Sequence, residues 1–261
     1  MSKLLDKLDR IGRGKTASLG FGSAGRADKL PAMAVAGVLT DQKAYLKQAA
    51  ALSEVGADAV LLEGASTGKA LTDLAKKLDS IPWGPKVQEL GVDEAAGFRD
   101  AGCDFLAFGP EKSLLGAIEG ESTGYILCVD PGMEERFLRT IEDLSVDGVL
   151  LPSSSVGLPL TVEHMMTLGV VREAFSKYLF LELPGLMSPR ELEGLRDMGI
   201  DGVVVNPSVL SREDIQEMIS SLKSLPKKQQ NKSRRPDAVL PKPGMGFVSS
   251  PDIDDDDDDD D

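Results

Sequence analysis

From residue 31 to residue 225 the chain repeats one pattern: a short apolar run, a polar loop, an amphipathic stretch, then another apolar run. Four of the apolar runs are introduced by a small residue and an aspartate. Gly56-Ala57-Asp58 precedes 59–62, Gly102-Cys103-Asp104 precedes 105–108, Val146-Asp147-Gly148 precedes 149–151, and Gly199-Ile200-Asp201-Gly202 precedes 203–205. Glycine at such a place stops the preceding helix, and an unbroken apolar quartet reads as a strand covered on both faces. Four less uniform runs, 33–39, 81–87, 125–129 and 178–183, fall between them. The pattern therefore predicts eight strands, each followed by a helix-length segment. Alternation at this spacing indicates βα units and a parallel sheet, and eight units close a barrel. The expected fold is α/β, a (β/α)8 TIM barrel over 31–225, with an open doubly wound sheet as the alternative.

Helix starts are marked. Ser188-Pro189-Arg190-Glu191 is a capping box with proline in the first turn. Ser211 to Asp214 and Asp130-Pro131 carry similar signals, and Asp41 opens a helical stretch that runs to Ser53. Ahead of the barrel, Leu4, Leu5, Leu8 and Ile11 share one helical face. Residues 2–12 are thus expected to form a short helical extension packed on the barrel's N-terminal end, followed by a glycine-rich loop up to residue 30. At Pro226 the periodicity stops. Residues 226–261 are first basic and proline-punctuated, then poly-aspartate, and read as a disordered acidic tail.

Composition changes this picture by exclusion. The chain has 261 residues, 41% of them hydrophobic, and a net charge of −14. The body stays acidic without its tail, which disfavours nucleic acid as a partner. Two cysteines, Cys103 and Cys128, make no disulfide scaffold and fit a reducing, cytoplasmic setting. No apolar run has the length of a membrane span. The poly-aspartate end leaves a protein partner open, beside a purely solubilising role, and a homo-oligomer is compatible with the sequence.

In a barrel the chemistry is carried at the C-terminal ends of the strands and in the loops that follow. Those places hold Thr40, Asp41, Glu63, Lys86, Gln88, Glu89, Glu111, Lys112, Asp130, Ser153-Ser154-Ser155, Glu182, Asn206 and Ser208. The only histidine, His164, falls in the sixth helix, in a packing or surface role, so histidine triads and His-rich zinc sites are disfavoured. Glu182 ends an otherwise apolar run, where period two sets it on the face of Phe180. It either points into the barrel mouth, as a base or a ligand for Mg²⁺, or simply emerges into water. Glu63, Asp130 and Glu182 together would make an oxygen-rich site for a hard cation, although Asp130 competes as a helix cap and Glu63 as an ordinary loop acid. Lys86, beside Pro85, is a Schiff-base candidate or an exposed loop lysine, and Lys112 is expected at a helix start. Gly20 to Gly25 matches G-x-G-x-x-G, without the strand and helix that the phosphate-binding motif needs.

The last two units, Leu183-Pro184-Gly185-Leu186-Met187-Ser188 and Val205-Asn206-Pro207-Ser208, resemble the closing units of the aldolase-type, phosphate-binding TIM barrels. The resemblance implies a phosphate held by the turns after the seventh and eighth strands, with Gly185 in the first and Asn206 and Ser208 in the second. The first turn has Pro184-Gly185 where the family has two glycines, and Pro207 brings no N–H to the second. Residues 55–64 also resemble the second-strand segment of flavin-binding barrels, which implies FMN as a minority reading. The leading expectation is a lyase or isomerase. It would act on a small phosphorylated or carboxylated metabolite through an enolate, with Glu182 as base, Lys86 or Mg²⁺ stabilising the anion and Glu63 assisting. An FMN-dependent oxidoreductase and a non-catalytic scaffold acting through its tail are the alternatives.

Overall fold

The structure is a computed structural model that describes residues 2–13, 30–78, 81–120 and 122–225. The glycine motif at 20–25 and the segment 226–261 lie outside the described residues. Eight parallel strands pair in chain order and close on themselves. They are β1 (Ala34–Leu39), β2 (Ala59–Glu63), β3 (Trp83–Val87), β4 (Phe105–Phe108), β5 (Gly124–Cys128), β6 (Gly148–Leu151), β7 (Tyr178–Glu182) and β8 (Gly202–Val205). Eight helices accompany them among the described residues: α1 (Lys3–Arg13), α2 (Tyr45–Val55), α3 (Lys69–Ala75), α4 (Val92–Asp100), α5 (Glu135–Thr140), α6 (Val162–Ala174), α7 (Pro189–Met198) and α8 (Arg212–Ser224). None is long and apolar enough to cross a membrane. The barrel is closed, so the open-sheet alternative is excluded.

The glycine stops and capping boxes act as the sequence indicates. Gly56 and Gly199 take left-handed conformations at the ends of α2 and α7, and their N–H groups close the last turns. Ser188 pairs reciprocally with Glu191, and Ser211 with Asp214. His164 closes a third box with Thr161 at the start of α6, a structural task.

Three expectations are corrected. After β4 there is one 3-10 turn, Leu115–Ala117, in place of a helix, because Gly109, Pro110, Gly116 and Gly120 disfavour α-helix in that segment. Asp41 and Asp130 do not open helices. Each carboxylate bends back to the N–H two residues on, Lys43 at 3.0 Å and Gly132 at 2.7 Å, so α2 and α5 begin further along. Lys112 lies in a turn with φ of 59°, not at a helix start.

Apolar residues form an outer core between strands and helices and an inner one filling the lumen. Alternation along each strand sends Ala36, Val38, Leu61, Phe105, Ala107, Ile126, Leu150, Phe180 and Val204 inward. Phe180 fits because β6 and β8 begin with glycine; a Cβ at Gly202 would stand 2.6 Å from its ring.

The recurring aspartates tie neighbouring strands at the base. Asp58, Asp147 and Asp201 accept from the N–H groups of Val35, Tyr125 and Leu179 at 2.8 to 2.9 Å. Each donates its own N–H back to the carbonyl of the same partner. Asp104 departs from the set. Its carboxylate turns to the first turn of α1, accepting from Ser2 Oγ at 2.7 Å, Lys3 N at 2.7 Å and Leu4 N at 3.0 Å. Lys7 pairs with Asp58, and the Tyr178 hydroxyl donates to Asp9. With Leu4 and Leu8 buried in the inner core, α1 closes the N-terminal end of the barrel.

Candidate active site

At the opposite end, three charged side chains meet in the mouth. Glu63, the last residue of β2, and Lys86, the last but one of β3, stand side by side in the ladder. Glu182 ends β7, on the far wall. Lys86 Nζ lies 2.6 Å from Glu182 Oε1 and 3.1 Å from Glu63 Oε1. The Lys86 and Glu182 side chains are 15% and 12% exposed, against 40% for Glu63. Glu182 therefore points inward, in register with Phe180 one layer below, and Lys86 is no exposed loop lysine.

Burial by itself would lower the lysine pKa, but the hydrogen bonds and charges of Glu182, then Glu63, outweigh it and raise the value above the ordinary 10.5. The amine is held protonated. A Schiff-base nucleophile needs the neutral amine, so this environment suits a fixed cation that donates hydrogen bonds. Two carboxylates around one ammonium leave the trio with one net negative charge.

Supporting groups hold the trio in place. The Tyr45 hydroxyl donates to the backbone carbonyl of Glu63, and Gln42 Nε2 to that of Gly64 at 2.6 Å. Both come from the segment after β1 and fix the end of β2. Burial, then Glu63 and Asp41, raise the Tyr45 pKa, so the phenol remains a donor. Cys128 ends β5 facing the same lumen, where burial pushes its thiol up to about 12. Ser155, in the turn that packs against β7, has a buried Oγ without a partner among the described residues. Cys128 was detectable from the sequence, since period two from Ile126 puts it on the inner face; nothing in the sequence singles out Tyr45 or Gln42.

The other candidate residues stand differently. Asp130 is exposed and engaged with Gly132, and the space between Glu63 and Glu182 is filled by the Lys86 ammonium. Among the described residues no group of three or more acidic, histidine or cysteine side chains is placed to hold a metal. The donor set therefore does not fit Mg²⁺. In the turn after β8, Asn206 Oδ1 accepts the Ser208 N–H at 2.8 Å, and Pro207 has none to give. Gly185 is buried, and a Cβ there would stand 2.8 Å from the Leu158 side chain. In the turn after β8 a phosphate, including that of FMN, would have to displace the Asn206 side chain before it met the Ser208 N–H.

No protein-family model and no curated protein matches the sequence. Solved structures do match its fold. The tryptophan synthase A-subunit of Pyrococcus furiosus superposes with a TM-score of 0.57 at 14% identity, covering 74% of this chain and 97% of that one. The tryptophan synthase complex of the same organism gives 0.54 at 17%, covering 73% and 92%. A protein of Aquifex aeolicus VF5 gives 0.59 at 14%, covering 85% and 98%. At such identities the likeness concerns the fold alone: the chain is a (β/α)8 TIM barrel, similar in fold to the tryptophan synthase A-subunit.

Proposed function

We propose that this barrel is a lyase or isomerase that labilises a C–H bond beside a carbonyl in a small carboxylated or phosphorylated metabolite. The observation that carries the reading is the Lys86 ammonium held in the mouth between Glu182 and Glu63. Enolate chemistry needs a base near the carbon acid and a fixed positive charge near the oxygen that becomes negative. Glu182 is the base. When the substrate carbonyl takes one hydrogen bond of Lys86, the Glu182 carboxylate is freed to accept the proton. Lys86 keeps its charge and faces the enolate oxygen, while Glu63 holds the ammonium in position from the β2 side. The apolar layer beneath, formed by Ala107, Ile126, Leu150 and Phe180, keeps water out from below and strengthens each of these interactions. The likeness in fold to a tryptophan synthase subunit supports metabolite chemistry at this end of the barrel.

Solvent hydrogen exchange tests the reading directly. The protein is incubated in D₂O with pyruvate, 2-oxobutyrate, dihydroxyacetone phosphate and ribulose 5-phosphate, and deuterium uptake at the carbon beside the carbonyl is followed by proton NMR. Uptake from at least one compound is expected, reduced by roughly a hundredfold or more in Glu182→Gln with an unchanged circular dichroism spectrum. Equal uptake by wild type and Glu182→Gln would remove Glu182 from the mechanism.

A further inference from the structure

The strand that carries Glu182 stands between β6 and β8. The loops that leave these three strands at the mouth, 152–161, 183–188 and 206–211, contain no charged residue. They present apolar groups instead. Leu158, Leu186 and Val209 are exposed, and Leu158 lies over Gly185, 2.8 Å from where a Cβ would stand. Pro184 follows Glu182 by two residues, after the Leu183 N–H has made one more ladder bond to the Val204 carbonyl at 2.8 Å. The charges of this end lie on the other side, with Asp41, Glu89, Lys112 and Asp130 in the loops after β1, β3, β4 and β5.

A bound phosphate needs a cation or free N–H groups, most simply at a helix N-terminus. Here the first turns of α7 and α8 are served by their own carboxylates. Glu191 accepts from Ser188 N and Leu160 N, both at 2.8 Å, and Asp214 accepts from Ser211 N at 3.0 Å. Each repels a further anion from its helix end. The cation that meets Glu182 is Lys86, whose contacts to Glu182 and Glu63 leave one of its N–H groups open. We infer that the substrate of this site is an unphosphorylated 2-oxo acid with an apolar side chain, an inference that rests on the reading of the trio as a carbon-acid site. The carbonyl and carboxylate oxygens of a 2-oxo acid lie side by side, so one ammonium serves both. Glu182 takes a proton from C3, the electron pair moves to the carbonyl oxygen that faces Lys86, and the reverse step returns a solvent-derived proton to C3. The apolar side chain lies along Leu158, Pro184 and Leu186, continuous with Glu182, and covers surface that water would otherwise wet.

Deuterium uptake by the full-length protein in D₂O tests the inference. Per hydrogen, kcat/KM for exchange at C3 of 4-methyl-2-oxopentanoate is expected to exceed that of pyruvate roughly tenfold, and that of dihydroxyacetone phosphate by more. Leu158→Asn and Leu186→Asn should each lower this preference roughly threefold, through KM of the branched acid. Both side chains are exposed, so circular dichroism should be unchanged, and either variant decides the matter should the other fail to fold. Equal rates for pyruvate and the branched acid, faster exchange from the phosphate ester, or a preference that survives both variants overturns the inference and leaves Glu182 as base. Isothermal titration with 3,3-dimethyl-2-oxobutanoate, which has no hydrogen at C3, separates binding from chemistry. Saturable binding that weakens in Leu158→Asn, with exchange from no compound, removes the base chemistry and keeps the ligand class. Neither binding nor exchange overturns both.

Discussion

Lys86 and Glu182 stand on strands four places apart in an eight-strand ring, yet their charged groups lie 2.6 Å from each other across the lumen. A link between opposite walls is possible because lysine is long and the rim beside it is small, with Ala107 next to Lys86 in the ladder. The pair thus sets the width of the mouth as well as its charge.

Lys86→Met should leave Glu63 and Glu182 without their cation. Loss of one partner from a mostly buried pair costs about 3 kcal/mol, moderated by the partial exposure of Glu63. Urea unfolding at pH 7 should show this loss, and a second replacement, Glu182→Gln, should recover most of it. A double variant less stable than Lys86→Met would show that the ion pair is not the source of the effect.

Alkaline pH should weaken the fold early. Burial pushes the Cys103 and Cys128 thiols up to about 12, from an ordinary 9.0. The folded state therefore holds protons that the unfolded chain gives up above about pH 9, and stability falls from there. Lys86, with its pKa raised, adds a contribution complete below the ordinary 10.5 and lost as pH rises through the higher folded value. Melting temperatures should be level from pH 6 to 8 and decline beyond about 9.

The same two thiols should be inert in the native protein. An alkylating reagent at pH 7.5 should label neither within the time that it labels both in denaturant, because a buried neutral thiol is a poor nucleophile. Rapid native labelling of Cys128 would mean that the mouth opens more widely than its side chains suggest.

Asp104→Ala should detach α1. Removal of a cap costs about 1 kcal/mol, and Leu8→Ala, a truncation in the inner core, about 3 kcal/mol. Hydrogen exchange in residues 3–13 should quicken in Asp104→Ala while the amides of β5 to β8 keep their protection.

Asn206→Gly frees the Ser208 N–H. Inorganic phosphate should then raise the melting temperature more than it does for wild type at matched ionic strength, as the turn after β8 gains a donor for an anion. An identical response in the two proteins would show that Asn206 does not govern access to the turn.

The barrel was legible because its signals are local and repeated. A glycine stop, an aspartate and an apolar run mark β2, β4 and β8, the aspartate and the apolar run alone mark β6, and Ser188 and Ser211 announce their helices through short reciprocal hydrogen bonds. Asp41 and Asp130 misled for the same reason: the carboxylate that caps a helix serves a two-residue turn equally well, and nothing nearby decides between them. The site was only half legible. Period two put Glu182 on the inner face, but its meeting with Lys86 depends on closure of the ring, since the two are 96 positions apart in the chain. The roles of Tyr45 and Gln42 depend on tertiary neighbours and leave no trace in local pattern.

The attachment of α1 also bears on how the chain comes to be folded. This helix is made early in synthesis, yet its partners come late: Asp104 lies 102 residues beyond Ser2, and Tyr178 lies 169 beyond Asp9. Until β4 and β7 have emerged, Leu4 and Leu8 have no inner core to enter. Contacts so distant in sequence slow folding. A helix synthesised ahead of all eight strands is thus among the last to dock, and its arrival seals the floor of a barrel already closed above it.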